Sequence, residues 1–168
     1  QSFYDTMIAE DRWMLIPKGL GTTLLIAFCA IIIGSILGCI FALFKISKNK
    51  VLNLIANVYV TLIRGIPMAT QLMIFYFVIF SPMGMSNGVV VAIIAFGINS
   101  GAYVAEIFRS GIMAIDNGQF EAGRSLGLNY IQTMIYIIVP QMFKVVLPTL
   151  CNEFIVLIKE TAIVGYIG

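Results

Sequence analysis

The chain has 168 residues, of which 60% are hydrophobic and only 11% are charged. A soluble domain carries about twice that charged fraction, so this chain lacks the polar side chains that a water-exposed surface needs. The formal net charge of +2 is too small to indicate a nucleic-acid partner. Composition therefore predicts an integral membrane protein, surrounded by membrane lipid.

Residue types that support catalysis or metal binding are scarce. The chain has no histidine, which removes the commonest general base and the commonest metal ligand. Cys29, Cys39 and Cys151 lie in apolar segments and form no CxxC pair, and we interpret them as small core residues. Protease, esterase and nucleotide-binding signatures are also missing from the sequence. We therefore predict no catalytic residue and no metal site, and any ATP must be bound by another subunit.

Residues 1–18 are mixed in character, and we predict that they form an external or interfacial segment before a membrane domain of residues 19–168. The aromatic rings of Tyr4 and Trp13 suit the headgroup level of a bilayer. The stretch 19–44 contains no charged residue. It is long enough to cross a hydrocarbon core of roughly 30 Å, so it is the first predicted span.

A lysine cluster sets the predicted orientation of the chain. Lys45, Lys48 and Lys50 follow the first span directly, and basic residues next to a span are retained on the cytoplasmic side. The N-terminus is therefore predicted to lie outside the cell. Small residues recur every four positions within the first span, a spacing that lets a second helix approach closely. They are Ala30, Gly34, Gly38 and Ala42.

The second apolar region is interrupted by the sequence Arg-Gly-Ile-Pro at residues 64–67. Because Pro67 removes a backbone donor, the region is predicted to be either one long interrupted helix or an interfacial elbow followed by a span. A charged side chain at this depth costs free energy unless it finds a partner. Arg64 is therefore interpreted either as a structural anchor or as part of a transport path.

The third span is predicted from Val89 to about Ala105, after a turn-rich and uncharged segment. Asn99 is a polar side chain in the middle of this span. Glu106 and Arg109 are three positions apart on a helix and are predicted to form a structural ion pair. Small residues again recur every four positions, at Gly97, Gly101 and Ala105.

Residues 116–141 are predicted to form a cytoplasmic loop of two short helices. The first covers 119–126 and ends at Gly127, and the second begins at the capping pattern of Asn129 and Gln132. Pro140 is expected to end the second helix or to open the next one. We interpret a loop of capped helices as a docking surface. Phe120, Gly123 and Gly127 are predicted to lie on one side of it. Glu121 and Arg124 are predicted to lie at its rim.

The fourth apolar run, residues 141–157, contains an acidic side chain. Glu153 lies roughly 20 Å along a helix from Pro140, which places it near the middle of the membrane. An ionisable group at that depth is a candidate functional residue. The alternative is a pair with Lys159 or Arg64 that holds the bundle together.

The polar loop carries a recognisable family pattern. Its sequence Glu-Ala-Gly at 121–123, then Gly127, Ile137 and Val-Pro-Gln at 139–141 resembles the EAA motif of binding-protein-dependent ABC importers. Three flanking stretches are similar to the polar amino-acid branch of that family. They are residues 64–71, 99–106 and 152–161.

The resemblance implies an all-α, MetI-like bundle of five spans, an EAA loop that docks on an ATPase, and no enzymatic activity of its own. It implies a multi-pass subunit of a prokaryotic inner or plasma membrane, surrounded by membrane lipid. Its protein partners would be a second permease subunit, in a homodimer or heterodimer, and two ABC ATPase subunits that hold the ATP. An extracellular or periplasmic solute-binding protein would be a further partner. The last helix of the family is expected to be absent from these 168 residues.

The sequence therefore predicts the permease of an ATP-driven importer of polar amino acids. The predicted coupling residues are Phe120, Glu121, Ala122, Gly123, Leu126, Gly127 and Pro140, and the predicted substrate-path residues are Glu153, Asn99, Glu160 and Arg64. One alternative is a permease for another small polar solute, which the EAA loop alone would permit. Another is an ion-channel-type membrane protein, which assigns the loop no role.

Overall fold

The computed structural model describes residues 12–85 and 87–167, and these residues are arranged as a bundle of helices. The predictions made for residues 1–11, including the interfacial position of Tyr4, lie outside the described residues. Trp13 belongs to a 3₁₀ turn, Arg12–Met14, that leads directly into the first helix. Its side chain is exposed, as expected of a ring at a membrane interface.

The first predicted span is one helix, α1, from Leu15 to Ile46. It starts four residues before the predicted boundary at Gly19. A short turn follows, and the side chain of Asn49 accepts hydrogen bonds from the backbone N–H groups of Val51 and Leu52. This cap starts helix α2, Lys50–Gly65, immediately after the lysine cluster.

The second apolar region is an elbow. Helix α3, Met68–Met73, continues as π turns over Ile74–Phe80, and the direction of the chain changes by 102° between α2 and this segment. Of the two forms predicted around Pro67, the structure therefore has the sharply bent one. A proline at this position cannot donate to the carbonyl group four residues earlier, which ends the α2 hydrogen-bond ladder.

Helix α4, Gly88–Met113, is the third predicted span and is eight residues longer at its C-terminal end than predicted. It packs along α1 through the two small-residue stripes. A side-chain carbon added to Gly34 would come within 2.8 Å of Ser100, and one added to Gly38 within 2.5 Å of Val104. The absence of side chains at these positions therefore sets the distance between α1 and α4.

Charged groups join the same two helices at the end that carries the lysine cluster. Lys45 on α1 pairs with Glu106 on α4, and Arg109 donates to Glu106 through its Nε atom at 2.7 Å. The predicted Glu106–Arg109 pair is therefore confirmed as a structural pair. Lys45 is a third charged residue in this cluster of ion pairs, and it was not predicted from the sequence.

The loop of residues 116–141, predicted to be cytoplasmic, contains one separate short helix, not two. Helix α5 spans Asn117–Ser125. The second predicted helix, α6 (Tyr130–Thr133), continues through π turns into α7, Val139–Glu160, so that residues 130–166 form one helical run. We call this run the 130–166 helix.

Of the two roles predicted for Pro140, ending the second helix or opening the next one, the structure has the second, because Pro140 lies in the first turn of α7. A proline ring clashes with the carbonyl group four residues earlier in a regular α-helix. Here Pro140 follows the π turns of Met134–Ile138, which are wider than α turns, and it is the second residue of α7. Proline is tolerated in the first turn of an α segment, so the helix passes through it.

Within the described residues, three helices are long and apolar enough to cross a membrane, and the bent α2–α3 pair can supply a fourth crossing. The prediction that the cysteines are core residues is wrong in part. Cys29 is half-buried, whereas Cys39 and Cys151 are exposed on apolar helix faces. Their helices present these faces to lipid or to a partner rather than to the core of this chain.

Candidate functional site

A cavity of about 450 Å³ lies where α2, α4 and α7 meet. The structure brings all four predicted substrate-path residues to its wall, although they are far apart in the sequence. They are Arg64 from α2, Asn99 from α4, and Glu153 and Glu160 from α7. Tyr103, Ser110, Thr149 and Asn152 add further polar groups to the lining.

Arg64 reaches the cavity from the last turn of α2. Its guanidinium carbon lies 4.9 Å from the centre of the Tyr103 ring, a distance that suits a cation–π contact. Among the described residues it forms no ion pair with a carboxylate. The planar guanidinium group therefore keeps donors free for a ligand in the cavity.

Glu153 lines the same cavity from α7 and is 9% exposed. Its carboxyl group is near Ser100, and it interacts electrostatically with Arg64 and Glu160. Within the described part of the chain it forms no salt bridge with Lys159, which acts on Glu160 instead. The Ser100 oxygen is buried without a hydrogen bond of standard geometry among the described residues.

The charges of the cavity do not cancel. Glu106 also lines it, but this carboxylate is already paired with Lys45 and Arg109. One guanidinium group and two carboxyl groups then remain, those of Arg64, Glu153 and Glu160. When all three are ionised, the cavity carries opposite charges on α2 and α7 and an excess of negative charge.

Gln71 is a positioning residue that sequence reasoning did not identify. Its side-chain nitrogen donates to the carbonyl groups of Ile63 at 2.5 Å and Ile66 at 2.7 Å, both at the elbow. The Ile63 carbonyl lies four residues before Pro67 and receives no helix hydrogen bond from it, because proline has no backbone N–H. The Gln71 side-chain oxygen in turn accepts from Asn99 at 3.3 Å. The same amide group therefore fixes the elbow beside Arg64 and orients Asn99.

The loop at the other end of the 130–166 helix has well-defined caps. Gly127 follows α5 with φ of 77°, and its N–H donates to Arg124, while the N–H of Leu128 donates to Gly123. These two bonds form a Schellman motif. Asn129 and Gln132 then exchange the reciprocal hydrogen bonds of a capping box. Both caps were predicted from the sequence.

The predicted arrangement of the docking face is wrong for one residue. Gly123 is buried, because a side-chain carbon placed there would come within 2.6 Å of Thr133. Gly127 has open space around it instead. Phe120 is half-buried and stacks on Tyr130, with ring centres 6.2 Å apart. Gly123 therefore joins α5 to the 130–166 helix, while Glu121, Ala122, Arg124 and Leu126 are exposed.

A second connection holds α5 against the 130–166 helix. The side-chain nitrogen of Gln141 donates to Gln119 at 3.1 Å and to the backbone of Ile137 at 2.9 Å. Sequence reasoning used Gln141 only as part of a pattern and did not assign it a contact. Gln141 is the last residue of the EAA-like pattern of residues 121–141, and this position is the signal from which a role could have been inferred.

Comparison with protein families gives one match that covers most of the chain. The family described as "Binding-protein-dependent transport system inner membrane component" matches residues 30–168. This range includes the elbow, the cavity lining and the loop.

Two relatives from Bacillus subtilis (strain 168) are similar over nearly the whole chain. The probable amino-acid ABC transporter permease protein YckA is 39% identical over 98% of this chain and 73% of its own length. The arginine transport system permease protein ArtQ is 44% identical over 91% of this chain and 70% of its own length. A putative glutamine transport system permease protein GlnP of Rickettsia bellii (strain RML369-C) is 42% identical over 95% of this chain and 73% of its own length.

Two solved structures have the same fold. A crystal structure of an amino acid ABC transporter with histidines superposes with a TM-score of 0.87 at 44% identity, over 95% of this chain and 75% of that one. The MetNI methionine ABC transporter in an inward-facing conformation gives a TM-score of 0.79 at 20% identity, over 96% of this chain and 78% of that one. The second similarity concerns the fold alone.

Proposed function

The chain belongs to the family of binding-protein-dependent transport system inner membrane components, and from this premise we propose that it is the permease subunit of an ATP-driven importer of polar amino acids. The family and the MetI-like fold inferred from the EAA loop are confirmed. The cavity with a guanidinium group facing carboxyl groups is the observation that carries the proposal for the substrate.

An amino acid has a carboxylate and an ammonium group on one carbon, and the cavity offers a partner for each. The free guanidinium donors of Arg64 suit the carboxylate. Glu153 and Glu160 suit the ammonium group or a cationic side chain, and Asn99 supplies a neutral donor and acceptor. The excess of acidic groups favours neutral and cationic amino acids over acidic ones.

ATP is bound and hydrolysed by separate subunits in this proposal. The exposed surface of the loop, with Glu121, Ala122, Leu126 and Gly127 beside Phe120, docks on an ABC ATPase at the cytoplasmic side of the membrane. Gly123 supports this surface from within the chain, and Pro140 opens the α segment whose next residue, Gln141, bonds to Gln119. Closure of the ATPase dimer displaces α5, and the 130–166 helix carries the displacement to the cavity.

The remaining partners follow from the same family. A second permease subunit completes the translocation path, and a solute-binding protein outside the cell delivers the amino acid. The N-terminus lies outside, because the lysine cluster after α1 marks the cytoplasmic side. Residues 19–168 then belong to the transmembrane domain of the importer.

Substrate-dependent ATPase stimulation tests the proposal. The permease is co-purified with its ATPase subunits, reconstituted in liposomes with the binding protein, and assayed against a panel of amino acids. We expect ATPase stimulation and uptake by at least one neutral or cationic polar amino acid. Failure to co-purify with an ATPase, conductance without ATP, or stimulation only by solutes other than amino acids would contradict it.

A further inference from the structure

We propose that a groove beside the loop is a binding site for an anionic phospholipid. The groove has a volume of about 690 Å³ and lies between the end of α1, the last turns of α5 and the start of the 130–166 helix. It is separate from the cavity that holds Arg64 and Glu153. The ATPase docking surface proposed above includes none of its apolar residues, and Arg124, predicted at the rim of that surface, is shared between the two.

The walls of the groove have the amphipathic character of a lipid. Leu43 and Ile46 on α1 face Ile131, Met134 and Ile135 on the 130–166 helix. Leu43, Ile131 and Ile135 are each more than half exposed in the chain. Such a surface at a membrane is covered by an acyl chain more readily than by water.

Two cations lie at one end of this apolar surface. Lys48 and Arg124 both line the groove, and neither side chain forms an ion pair or hydrogen bond among the residues described. Within residues 12–85 and 87–167, no acidic side chain lines the groove; Glu121 lines the adjoining cavity, which shares Lys48 and Arg124. The two free cations therefore complement a phosphate group, which accepts from a guanidinium in a bidentate manner.

The position of the groove matches the depth of a lipid headgroup. Lys48 comes two residues after the end of the first span, at Ile46. Tyr130 lines the groove with its ring stacked on Phe120, and tyrosine is enriched at the boundary between hydrocarbon and water. The headgroup then lies against Lys48 and Arg124 while an acyl chain follows Leu43 and Ile135 toward the membrane interior. Basic pockets between transmembrane helices recognise anionic headgroups in this way.

Native mass spectrometry of the transporter complex, titrated with phosphatidylglycerol or phosphatidylcholine, measures the affinity for each lipid. We expect tighter retention of phosphatidylglycerol. Each basic side chain at a membrane surface contributes enough attraction to change the affinity for an anionic lipid about fivefold. Lys48→Gln and Arg124→Gln should therefore each weaken retention of phosphatidylglycerol about fivefold. The double variant should weaken it about 25-fold.

Two sets of variants keep the result interpretable. Lys48→Arg preserves the charge and should preserve retention, whereas Arg124→Lys keeps the charge without the guanidinium fork and should retain more lipid than Arg124→Gln. Lys50→Gln removes a nearby charge that does not line the groove and should leave retention unchanged. The proposal is overturned if Lys50→Gln weakens binding as much as Lys48→Gln, or if phosphatidylcholine is retained equally. It is also overturned if inorganic phosphate displaces the lipid, or if Lys48→Gln with Arg124→Gln releases the ATPase while lipid retention stays unchanged.

Discussion

Glu153 is the one acidic side chain that lies buried among the described residues. Its place at mid-helix was predicted from residue spacing, but its neighbours were not. Sequence reasoning offered Lys159 and Arg64 as partners, and the structure instead places Glu153 next to Ser100, with only a longer-range attraction to Arg64. Ser100 comes from another helix, and no local pattern predicts a contact between α4 and α7.

Replacement of this carboxyl group should separate binding from assembly. We expect Glu153→Gln to raise the half-saturation concentration for cationic amino acids about tenfold or more, because a hydrogen bond to a charged group is worth about 1.5–3 kcal/mol. Uptake assays in liposomes measure the change, and gel filtration verifies assembly. Lys144→Gln neutralises an exposed charge on the same helix and serves as the control. Unchanged uptake in Glu153→Gln would give this residue a structural role.

Gln71 allows a test of the elbow. In Gln71→Leu the carbonyl groups of Ile63 and Ile66 lose their donor, and a buried unsatisfied group costs about 1–3 kcal/mol. We expect a lower melting temperature of the complex, together with weaker substrate binding, since Arg64 and Asn99 are both positioned through this amide. Thermal unfolding and uptake kinetics measure the two effects. Thr70→Ala, at the exposed neighbouring position, should change neither; loss of stability without any change in binding would contradict the positioning role.

The short helix α5 depends on the cap that ends it. Gly127 has φ of 77°, and a residue with a side chain pays about 1–2 kcal/mol in this left-handed conformation. There is open space at this position, so the penalty is one of backbone strain and not of a clash. We therefore expect Gly127→Val to reduce ATP-driven uptake strongly while membrane insertion is retained.

Asparagine provides the matched control for this position. It is the residue that tolerates the left-handed conformation best after glycine, so Gly127→Asn should keep most of the activity. The ratio of uptake to ATP hydrolysis is the measurement that separates coupling from folding. Full uptake in Gly127→Val would show that the shape of this loop does not determine coupling.

Local patterns predicted the helices and caps well, and tertiary contacts account for the errors. Asn129 and Gln132 form their capping box within one turn, so the sequence alone was sufficient. Pro140 was expected to end one helix or to open the next, and the π turns before it, which connect the two segments, are not visible in a sequence. Gly123 was expected on an exposed face, and only the packing of Thr133 shows that it is covered.

The molecule joins its two candidate sites through a single element. The 130–166 helix begins at the capping box of the loop and carries Glu153 and Glu160 into the cavity. Tyr130 and Glu153 are separated by roughly 35 Å of helix. A displacement of α5 reaches this helix through Gly123 against Thr133 and through Gln119 bonded to Gln141. These contacts form the route that the proposed coupling between the loop and the cavity would use.

Continuity of the 130–166 helix also limits how the chain can change in length. Each residue of an α-helix turns the next by roughly 100°, so deletion of one residue between the loop and the cavity would rotate Glu153 away from Arg64. The same deletion would leave the hydrophobicity of the segment unchanged. Between Thr133 and Asn152, the number of residues is therefore constrained more strictly than their chemistry, because a substitution keeps the register of the helix and a deletion does not.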